Sequence, residues 1–279
     1  MTGIALQASA STHHVRHRHA SPTGTPALRS SSVLVVDENT SSILLSKQSD
    51  AAIPIASITK LMTALVVLDA NQPTDEMIKL TRDDRELSRG FHSRLPTGAT
   101  LSRGDLIHLA LMSSENRAAF TLANHYPGGL RACIDAMNVR SKALGMTHTR
   151  FDDPTGLSSQ NVASPEDLTK LVIAASQNPT IRDFSTDDRY SVRVGHHALQ
   201  FRNTDNLVAN PNWNIVVQKT GYTAEAGRCL VMKAIIEDRP IVIVLLDSYG
   251  KYTRIADAKR IRDWIHALAN ERVEHASTR

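Results

Sequence analysis

Strand-forming segments at the two ends of this chain enclose a middle part that is patterned for helices. Five short runs of β-branched and aliphatic residues carry the strand signal. They cover residues 33–36, 43–45, 215–217, 229–236 and 241–246. Because these strands must bury their apolar faces together, the pattern predicts one antiparallel sheet of about five strands built from both chain ends. The expected fold class is α+β, with helices flanking the sheet and a mostly helical insertion.

Turn and helix signals place the remaining elements. Residues 37–40 predict a hairpin between the first two strands, and Arg239-Pro240 predicts the turn between the last two. Ser164, followed by Pro165 and two acidic residues, is typical of a helix start. Apolar residues at helical spacing predict helices over about residues 57–68, 104–112, 117–125, 130–144 and 255–268.

The N-terminal segment differs in composition from the rest of the chain. Residues 1–31 are rich in His, Ser and Pro and predict a disordered tail, with one folded domain over residues 32–279. Within that domain we expect a helical lobe over about residues 61–185. Ala8-Ser9-Ala10 has the form of an export-signal cleavage site, but the apolar part before it is short, so the signal is interpreted as incomplete. The tail also holds a histidine cluster, interpreted as solvated rather than as a metal site: His13, His14, His17 and His19.

Composition excludes several classes of protein. A chain of 279 residues is long enough to bury a core without disulfides or metals. The formal net charge of +4 suits either an anionic partner, such as a wall polymer, a phospholipid or a nucleic acid, or a mildly basic protein without one. Cys133 and Cys229 lie in apolar surroundings and in no metal-ligand pattern, which favours two separate buried thiols over a disulfide. The sequence contains no run of about 18 apolar residues, so an integral membrane anchor is not expected.

The first chemical motif is Ser57-x-x-Lys60 at the start of a predicted helix. A spacing of three residues puts the hydroxyl and the amine on one helix face, where Lys60 can serve as the base for a Ser57 nucleophile. A lysine acts as a base only when it is neutral, so burial or a second nearby cation must lower its pKa. Taken alone, Ser57 fits a helix N-cap better than a nucleophile, and only the motifs further along the chain favour catalysis.

Two further motifs follow in order. Ser114-x-Asn116 interrupts two apolar helical stretches and adds a hydroxyl and an amide, although Ser114 also suits a helix N-cap. Lys219-Thr220-Gly221 ends a β-branched run and adds a cation, a hydroxyl and a strand edge that a ligand can approach. The order Ser-x-x-Lys, Ser-x-Asn, Lys-Thr-Gly is typical of serine acyl transferases that use lysine as the base.

Each motif alone is a weak signal, because the chain holds further copies of two of them. Lys-Thr-Gly occurs once. The other copies are Ser248-x-x-Lys251, Ser159-x-Asn161 and Ser176-x-Asn178. Ser159 lies beside a turn signal, Ser176 suits a helix end, and the copy at Ser248 contains a glycine, so the order and context of the first set favour it. The backbone N–H groups of Ser57 and Tyr222 are candidates for an oxyanion hole.

From about residue 33 onward, the chain resembles the low-molecular-mass penicillin-binding proteins. Beside the three motifs, the likeness includes Phe151-Asp-Asp-Pro-Thr-Gly-Leu157, Asn203-Thr-Asp-Asn-Leu207 and the segment from Gly221 to Arg228. Residues 218–230 look most like the D-alanyl-D-alanine endopeptidase branch. The resemblance implies a β-lactamase or DD-peptidase type of fold, a periplasmic location and a cleaved bond between D-Ala and meso-diaminopimelate in peptidoglycan.

The resemblance also implies a role for each motif residue. Ser57 would be the nucleophile, Lys60 its base and Ser114 a proton relay to the leaving amine. Substrate binding would involve Asn116, Lys219, Thr220, Gly221 and Tyr222. Expected partners are peptidoglycan stem peptides and cross-links, with β-lactam antibiotics as covalent inhibitors. No cofactor, metal or nucleic acid is expected.

Three alternatives stay open. The motifs suit a D-alanyl-D-alanine carboxypeptidase equally well, because its leaving amine also stands beside a carboxylate. A class A β-lactamase would need a carboxylate for deacylation; Glu166 is present but reads as a first-turn helix residue. A penicillin sensor would acylate without turnover. Zinc-peptidase, phosphate-loop and nucleophile-elbow motifs are missing from the sequence.

Overall fold

A five-stranded antiparallel sheet lies at the centre of the computed structural model, which describes residues 24–86 and 93–277. The strands in chain order are β1 (Ser30–Asp37), β2 (Ser42–Lys47), β3 (Ile53–Pro54), β4 (Met77–Lys79), β5 (Thr100–Ser102), β6 (Val162–Ala163), β7 (Arg189–Val194), β8 (His197–Arg202), β9 (Asn214–Thr223), β10 (Gly227–Ile236) and β11 (Arg239–Ser248). The sheet has the order β2-β1-β11-β10-β9. Val35 of β1 lies opposite Ile243 of β11, which confirms a sheet built from both chain ends.

Seven helices and six short strands lie between β2 and β9, and one further helix follows the last strand of the described chain. The helices are α1 (Thr59–Asp69), α2 (Arg82–Glu86), α3 (Arg103–Met112), α4 (Asn116–Asn124), α5 (Gly129–Ala143), α6 (Pro165–Gln177), α7 (Pro179–Thr186) and α8 (Thr253–Ser277). A short 3-10 turn, Ala56–Ile58, leads into α1. Three two-stranded ribbons, β3–β6, β4–β5 and β7–β8, join these helices. Within the described residues, every helix is too short or too polar to cross a lipid bilayer.

The central strands are covered on both faces, which explains why they read as unbroken apolar runs. Along β11, Ile243 and Leu245 pack in a core with Ile261 of α8. Their neighbours Val242 and Val244 point to the opposite face and join the larger core formed with the helices between β2 and β9. Because successive side chains of a strand point to opposite faces, alternate residues of the run pack into different cores.

Two sequence predictions of boundaries are wrong. The predicted tail ends too late, because Ser30 already belongs to β1 and its backbone N–H donates to Asp257 Oδ2 of α8 at 2.7 Å. The last hairpin turns at Glu237 and Asp238, with φ of 52° and 55°, whereas Arg239 opens β11. The division into a helical lobe over about residues 61–185 and a surrounding lobe stays a prediction. The signal-like segment and the histidine cluster lie outside the described residues.

Two details agree with the sequence predictions. Ser164 caps α6, with its side chain accepting the backbone N–H of Asp167 at 3.2 Å. Cys133 and Cys229 are both free and buried. Burial raises the pKa of the Cys133 thiol to about 12 and that of Cys229 to about 11. The prediction of two separate thiols is therefore confirmed.

Candidate active site

Lys60 stands at the centre of the site, one turn along from Ser57. Its Nζ lies 2.8 Å from Ser57 Oγ, 2.7 Å from Asn116 Oδ1 and 2.8 Å from the Thr155 carbonyl oxygen. Ser57 itself sits in the 3-10 turn, just before α1 rather than within it. The structure thus joins the first two predicted motifs through a single amine.

Burial changes the acidity of this amine. Lys60 is fully inaccessible to solvent, and this desolvation lowers its pKa from 10.5 to about 7, although the negative charges of Asp153 and Glu115 oppose the shift. A pKa near neutrality lets Lys60 be neutral in a large fraction of molecules at neutral pH. The sequence analysis predicted that Lys60 needs a lowered pKa to act as a base, and its burial lowers the pKa in this way.

Ser114 lies in the loop between α3 and α4, and Asn116 is the first residue of α4. Ser114 has a φ of 59°, a left-handed conformation that reverses the chain between the two helices. The helix cap is Glu115, whose side chain accepts the Arg117 backbone N–H at 3.2 Å. Ser114 is therefore not the N-cap, and its hydroxyl lines the cleft beside Ser57.

A second loop, after α5, holds the carbonyl that receives Lys60. Asp153 Oδ1 accepts the backbone N–H groups of Thr155 and Gly156 at 2.5 and 2.8 Å, which closes the loop on itself. Thr63 of α1 donates to the Pro154 carbonyl at 2.7 Å and ties the loop to the catalytic helix. This network points the Thr155 carbonyl at Lys60. It was not predicted, because a backbone acceptor has no side-chain signature.

Gly156 is required by a close backbone contact. A Cβ at this position would lie 1.8 Å from the Ala56 carbonyl oxygen, and the φ of Gly156 is 82°. Ala56 also adopts a positive φ, 47°, directly before Ser57. The loop and the 3-10 turn are thus locked together at the nucleophile, with backbone strain at Ala56 that the packing maintains.

Strand β9 forms the opposite wall of the site. It is an edge strand, and Gly221 packs so closely on the 3-10 turn that a Cβ would lie 3.0 Å from the Ser57 nitrogen. The glycine is therefore needed for packing of the strand on the nucleophile as well as for ligand approach. Thr220 Oγ1 lies 2.5 Å from the Thr204 hydroxyl, and both residues line the cleft.

Lys219 lies behind this wall rather than in the cleft. It is fully buried, and its Nζ donates to the Thr220 carbonyl at 2.9 Å. Burial, then the charges of Lys60 and Arg254, lower its pKa well below 10.5, while Asp205 opposes the shift. Asp205 is itself buried, and this raises its pKa to about 6 against the effect of the neighbouring cations. Lys219, predicted to bind substrate, is thus a buried cation close enough to Lys60 for their charges to interact.

The cleft between the two walls has a volume of about 210 Å³. Its lining includes six predicted residues and adds Leu157, Thr204 and Arg254. Arg254, on the first turn of α8, donates to the Gly221 carbonyl at 3.4 Å and brings a guanidinium to the cleft. Nothing in its local sequence marks it, since it lies far along the chain in an ordinary helix. The six predicted lining residues are Ser57, Ser114, Asn116, Thr220, Gly221 and Tyr222.

The remaining motif copies lie away from the cleft and serve structural roles. Ser248 Oγ bonds Ser30 Oγ at 2.7 Å in the sheet. Asn161 donates to Thr59 Oγ1 at 3.0 Å and anchors the loop behind Lys60. Ser176 accepts from Lys233 Nζ at 3.1 Å. Members of the ordered set of three motifs, in contrast, meet at the cleft.

Comparison with known proteins agrees with this geometry. A family model described as D-alanyl-D-alanine carboxypeptidase matches residues 18–250. The chain belongs to this family of serine D-Ala-D-Ala peptidases. It is 50% identical over 242 residues to the D-alanyl-D-alanine endopeptidase of Escherichia coli K12, covering 86% of this chain and 78% of the relative. It is 49% identical over 240 residues to the Pseudomonas aeruginosa protein of the same name, covering 85% and 77%.

The fold comparison gives the same result. The crystal structure of the Streptomyces K15 DD-transpeptidase superposes with a TM-score of 0.81 at 25% identity, covering 88% of this chain and 99% of that one. The expected fold class, a penicillin-binding protein type of α+β fold, is therefore confirmed. Its architecture is the five-stranded antiparallel sheet with flanking helices described above.

Glu166 decides against the β-lactamase alternative. This member of the peptidase family exposes Glu166 on the first turn of α6, where its Oε1 accepts from Ser49 Oγ at 3.0 Å. Glu166 is not among the residues that line the cleft. It therefore has no access to an acyl group on Ser57, as its place in a capped helix predicted.

Proposed function

We propose that this peptidase cleaves D-Ala to meso-diaminopimelate cross-links of peptidoglycan in the periplasm through an acyl-enzyme on Ser57. The observation that carries the mechanism is the set of three partners around Lys60 Nζ. The endopeptidase specificity is supported by the two half-identical relatives that bear that name.

The partners of Lys60 orient its lone pair. A neutral amine has two N–H donors and one lone pair at roughly tetrahedral angles. Asn116 Oδ1 and the Thr155 carbonyl act only as acceptors, so they occupy the two N–H groups. The third direction leads to Ser57 Oγ at 2.8 Å, where the lone pair meets the hydroxyl proton. This arrangement suits proton abstraction without a histidine.

The positions of the lining residues assign a role to each of them in acylation. Ser57 Oγ attacks the D-Ala carbonyl carbon as its proton passes to Lys60, and the backbone N–H groups of Ser57 and Tyr222 stabilise the oxyanion. Ser114 relays the proton from Lys60 to the departing amine as the C–N bond breaks. A water molecule hydrolyses the resulting ester, releasing the carboxylic acid and restoring the Ser57 hydroxyl.

The β9 wall is suited to hold the substrate. Thr220 and Arg254 present a hydroxyl and a guanidinium to the carboxylate beside the scissile bond. Lys219 adds positive potential from behind, since an incoming carboxylate favours its charged form and raises its pKa. Asn116, whose Oδ1 receives Lys60, keeps its amide N–H groups for a substrate carbonyl. The same groups would hold the carboxylate of a β-lactam, which we propose as a covalent inhibitor.

The test is cleavage of a purified cross-linked muropeptide dimer, followed by mass spectrometry. We expect monomers from the natural protein and none from Ser57→Ala, whereas the matched Ser159→Ala variant in an exposed loop position keeps full activity. A fluorescent penicillin should label the natural protein and Ser159→Ala only.

Other outcomes would replace the proposal. Release of D-Ala from a pentapeptide with intact dimers would identify a carboxypeptidase. Labelling without any turnover of peptides would identify a sensor, and cleavage that survives in Ser57→Ala would remove Ser57 from the mechanism.

A further inference from the structure

Exposed tyrosines are concentrated at one end of the central sheet. The side chains of Tyr222, Tyr249 and Tyr252 are 53%, 93% and 65% exposed. Three other large apolar side chains are equally open in the described part of the chain, and they lie apart on β2, β4 and α5: Ile43, Met77 and Val139. Single exposed apolar residues are common, but a group of rings in one place indicates a binding surface.

Strand register places these tyrosines at the ends of neighbouring strands, on the end of the sheet where Tyr222 lines the cleft. Tyr222 of β9 lies opposite Arg228 of β10, which in turn lies opposite Ser248 of β11. Tyr249 directly follows Ser248, and the short segment through Tyr252 leads into α8. We call Tyr222, Arg228, Tyr249, Lys251 and Tyr252 the tyrosine patch.

The tyrosine patch is continuous with the cleft. Tyr222 lines the cleft at its outer edge, and Arg254, two residues after Tyr252, lines it from α8. A polymer whose side branch enters the cleft would therefore run over these rings.

The charges of the patch favour a neutral, polar occupant. The Arg228 guanidinium lies 4.3 Å from the Tyr222 ring centroid, and Lys251 Nζ lies 5.3 Å from that of Tyr252, so both cations are engaged with rings. Two exposed carboxylates lie close by in the chain, Glu225 in the turn between β9 and β10 and Asp247 near the end of β11. A surface for a polyphosphate or an anionic membrane would instead show unbalanced positive charge.

We propose that the tyrosine patch binds the amino-sugar strand of peptidoglycan, next to the stem peptide held in the cleft. Tyrosine rings offer an apolar face and a polar edge, the combination that matches a sugar ring with apolar C–H faces and hydroxyl rims. The inference rests on the proposed function for the identity of the polymer. It assigns recognition of the glycan to side chains beside the cleft, of which Tyr249 and Tyr252 have no part in the proposed catalytic machinery.

The experiment compares a small and a large substrate. We expect a Tyr249→Ala/Tyr252→Ala variant to keep natural rates with fluorescent penicillin and with a cross-linked peptide that lacks sugars. Its kcat/KM on intact cross-linked sacculi should fall about 5- to 10-fold, the effect of losing one or two interface anchors. Tyr249→Phe/Tyr252→Phe, which keeps the rings, should lose less than about twofold, and Val139→Ala on α5 provides the control for an exposed apolar residue.

Direct binding separates this inference from the proposed function. Calorimetry should show that peptide-free glycan strands bind the natural protein. Their affinity for the double alanine variant should be about 5- to 10-fold lower. Equal activity on sacculi and equal glycan affinity for both proteins would overturn the inference and leave the peptidase proposal intact. Failure to cleave any dimer would overturn the peptidase proposal, while the glycan titration would still decide the role of the patch.

Discussion

The two walls of the cleft are built in opposite ways. The wall formed by α1, α4 and the loop after α5 is closed: Lys60 is bonded to Ser57, Asn116 and the Thr155 carbonyl, and the loop is tied to α1. The wall formed by β9 is open, because β9 is the edge of the sheet and Thr220, Gly221 and Tyr222 line the cleft. One wall preorganises the reacting groups, and the other leaves groups for the substrate.

The sharpest way to break this comparison is to remove one buried lysine from each wall. Lys60→Met should lower the rate of acylation by penicillin about 1,000-fold or more, because the base oriented toward Ser57 is lost. Lys219→Met should lower the same rate about 10- to 100-fold, since it removes positive electrostatic potential from behind the substrate-binding wall. Both rates are measured by stopped-flow labelling, with circular dichroism to verify the fold. Equal losses would show that the two walls do not divide the work in this way.

The next prediction concerns how tightly the closed wall is packed. Gly156→Ala should lower the free energy of unfolding by about 3 to 5 kcal/mol, because its Cβ would overlap the Ala56 carbonyl. Gly145→Ala is the matched control: it also has a positive φ, 70°, but open space around it. Strain alone should cost that variant about 1 kcal/mol. Urea titrations measure both, and similar losses would contradict the packing argument.

The pH dependence tests the base directly. Neutral Lys60 is the active form, and its pKa of about 7 means that protonation removes activity as the pH falls. The acylation rate should therefore drop about tenfold per unit below about pH 7, reaching about 100-fold near pH 5, and level off above about pH 8. Single-turnover labelling across this range checks it. A rate that rises only near the ordinary lysine pKa would show that burial does not tune Lys60.

The smallest effect is expected on the open wall. Arg254→Gln should raise KM for a carboxylate-bearing peptide about tenfold with little change in kcat, because the guanidinium binds before and during the reaction alike. Arg262→Gln, on the same helix but outside the cleft, should match the natural protein. A fall in kcat alone would instead place Arg254 in the chemical step.

The same contrast explains which parts of the site the sequence could predict. Ser57, Lys60, Ser114 and Asn116 occur at short fixed spacings, and a spacing along a helix or turn is visible in one sequence. The strands at both ends were equally visible, because β-branched runs reflect burial on two faces.

The remaining features depend on long-range packing. Arg254 reaches the cleft only because α8 folds back over β10 and β11, and the Thr155 carbonyl needs a loop set by Asp153. Ala56 carries no sign of its positive φ, since alanine normally avoids it. The burial of Lys219 behind the strand likewise follows from how closely Gly221 packs.

The two sealed thiols have a practical consequence for anyone producing or labelling this protein. With both sulfur atoms inaccessible and strongly resistant to ionisation, the native chain should neither cross-link on secretion nor react with maleimides. Synthesis in a reducing cytosol should then yield the same molecule as export to an oxidising compartment. A single engineered cysteine, for example at Val139, would carry a fluorophore without background.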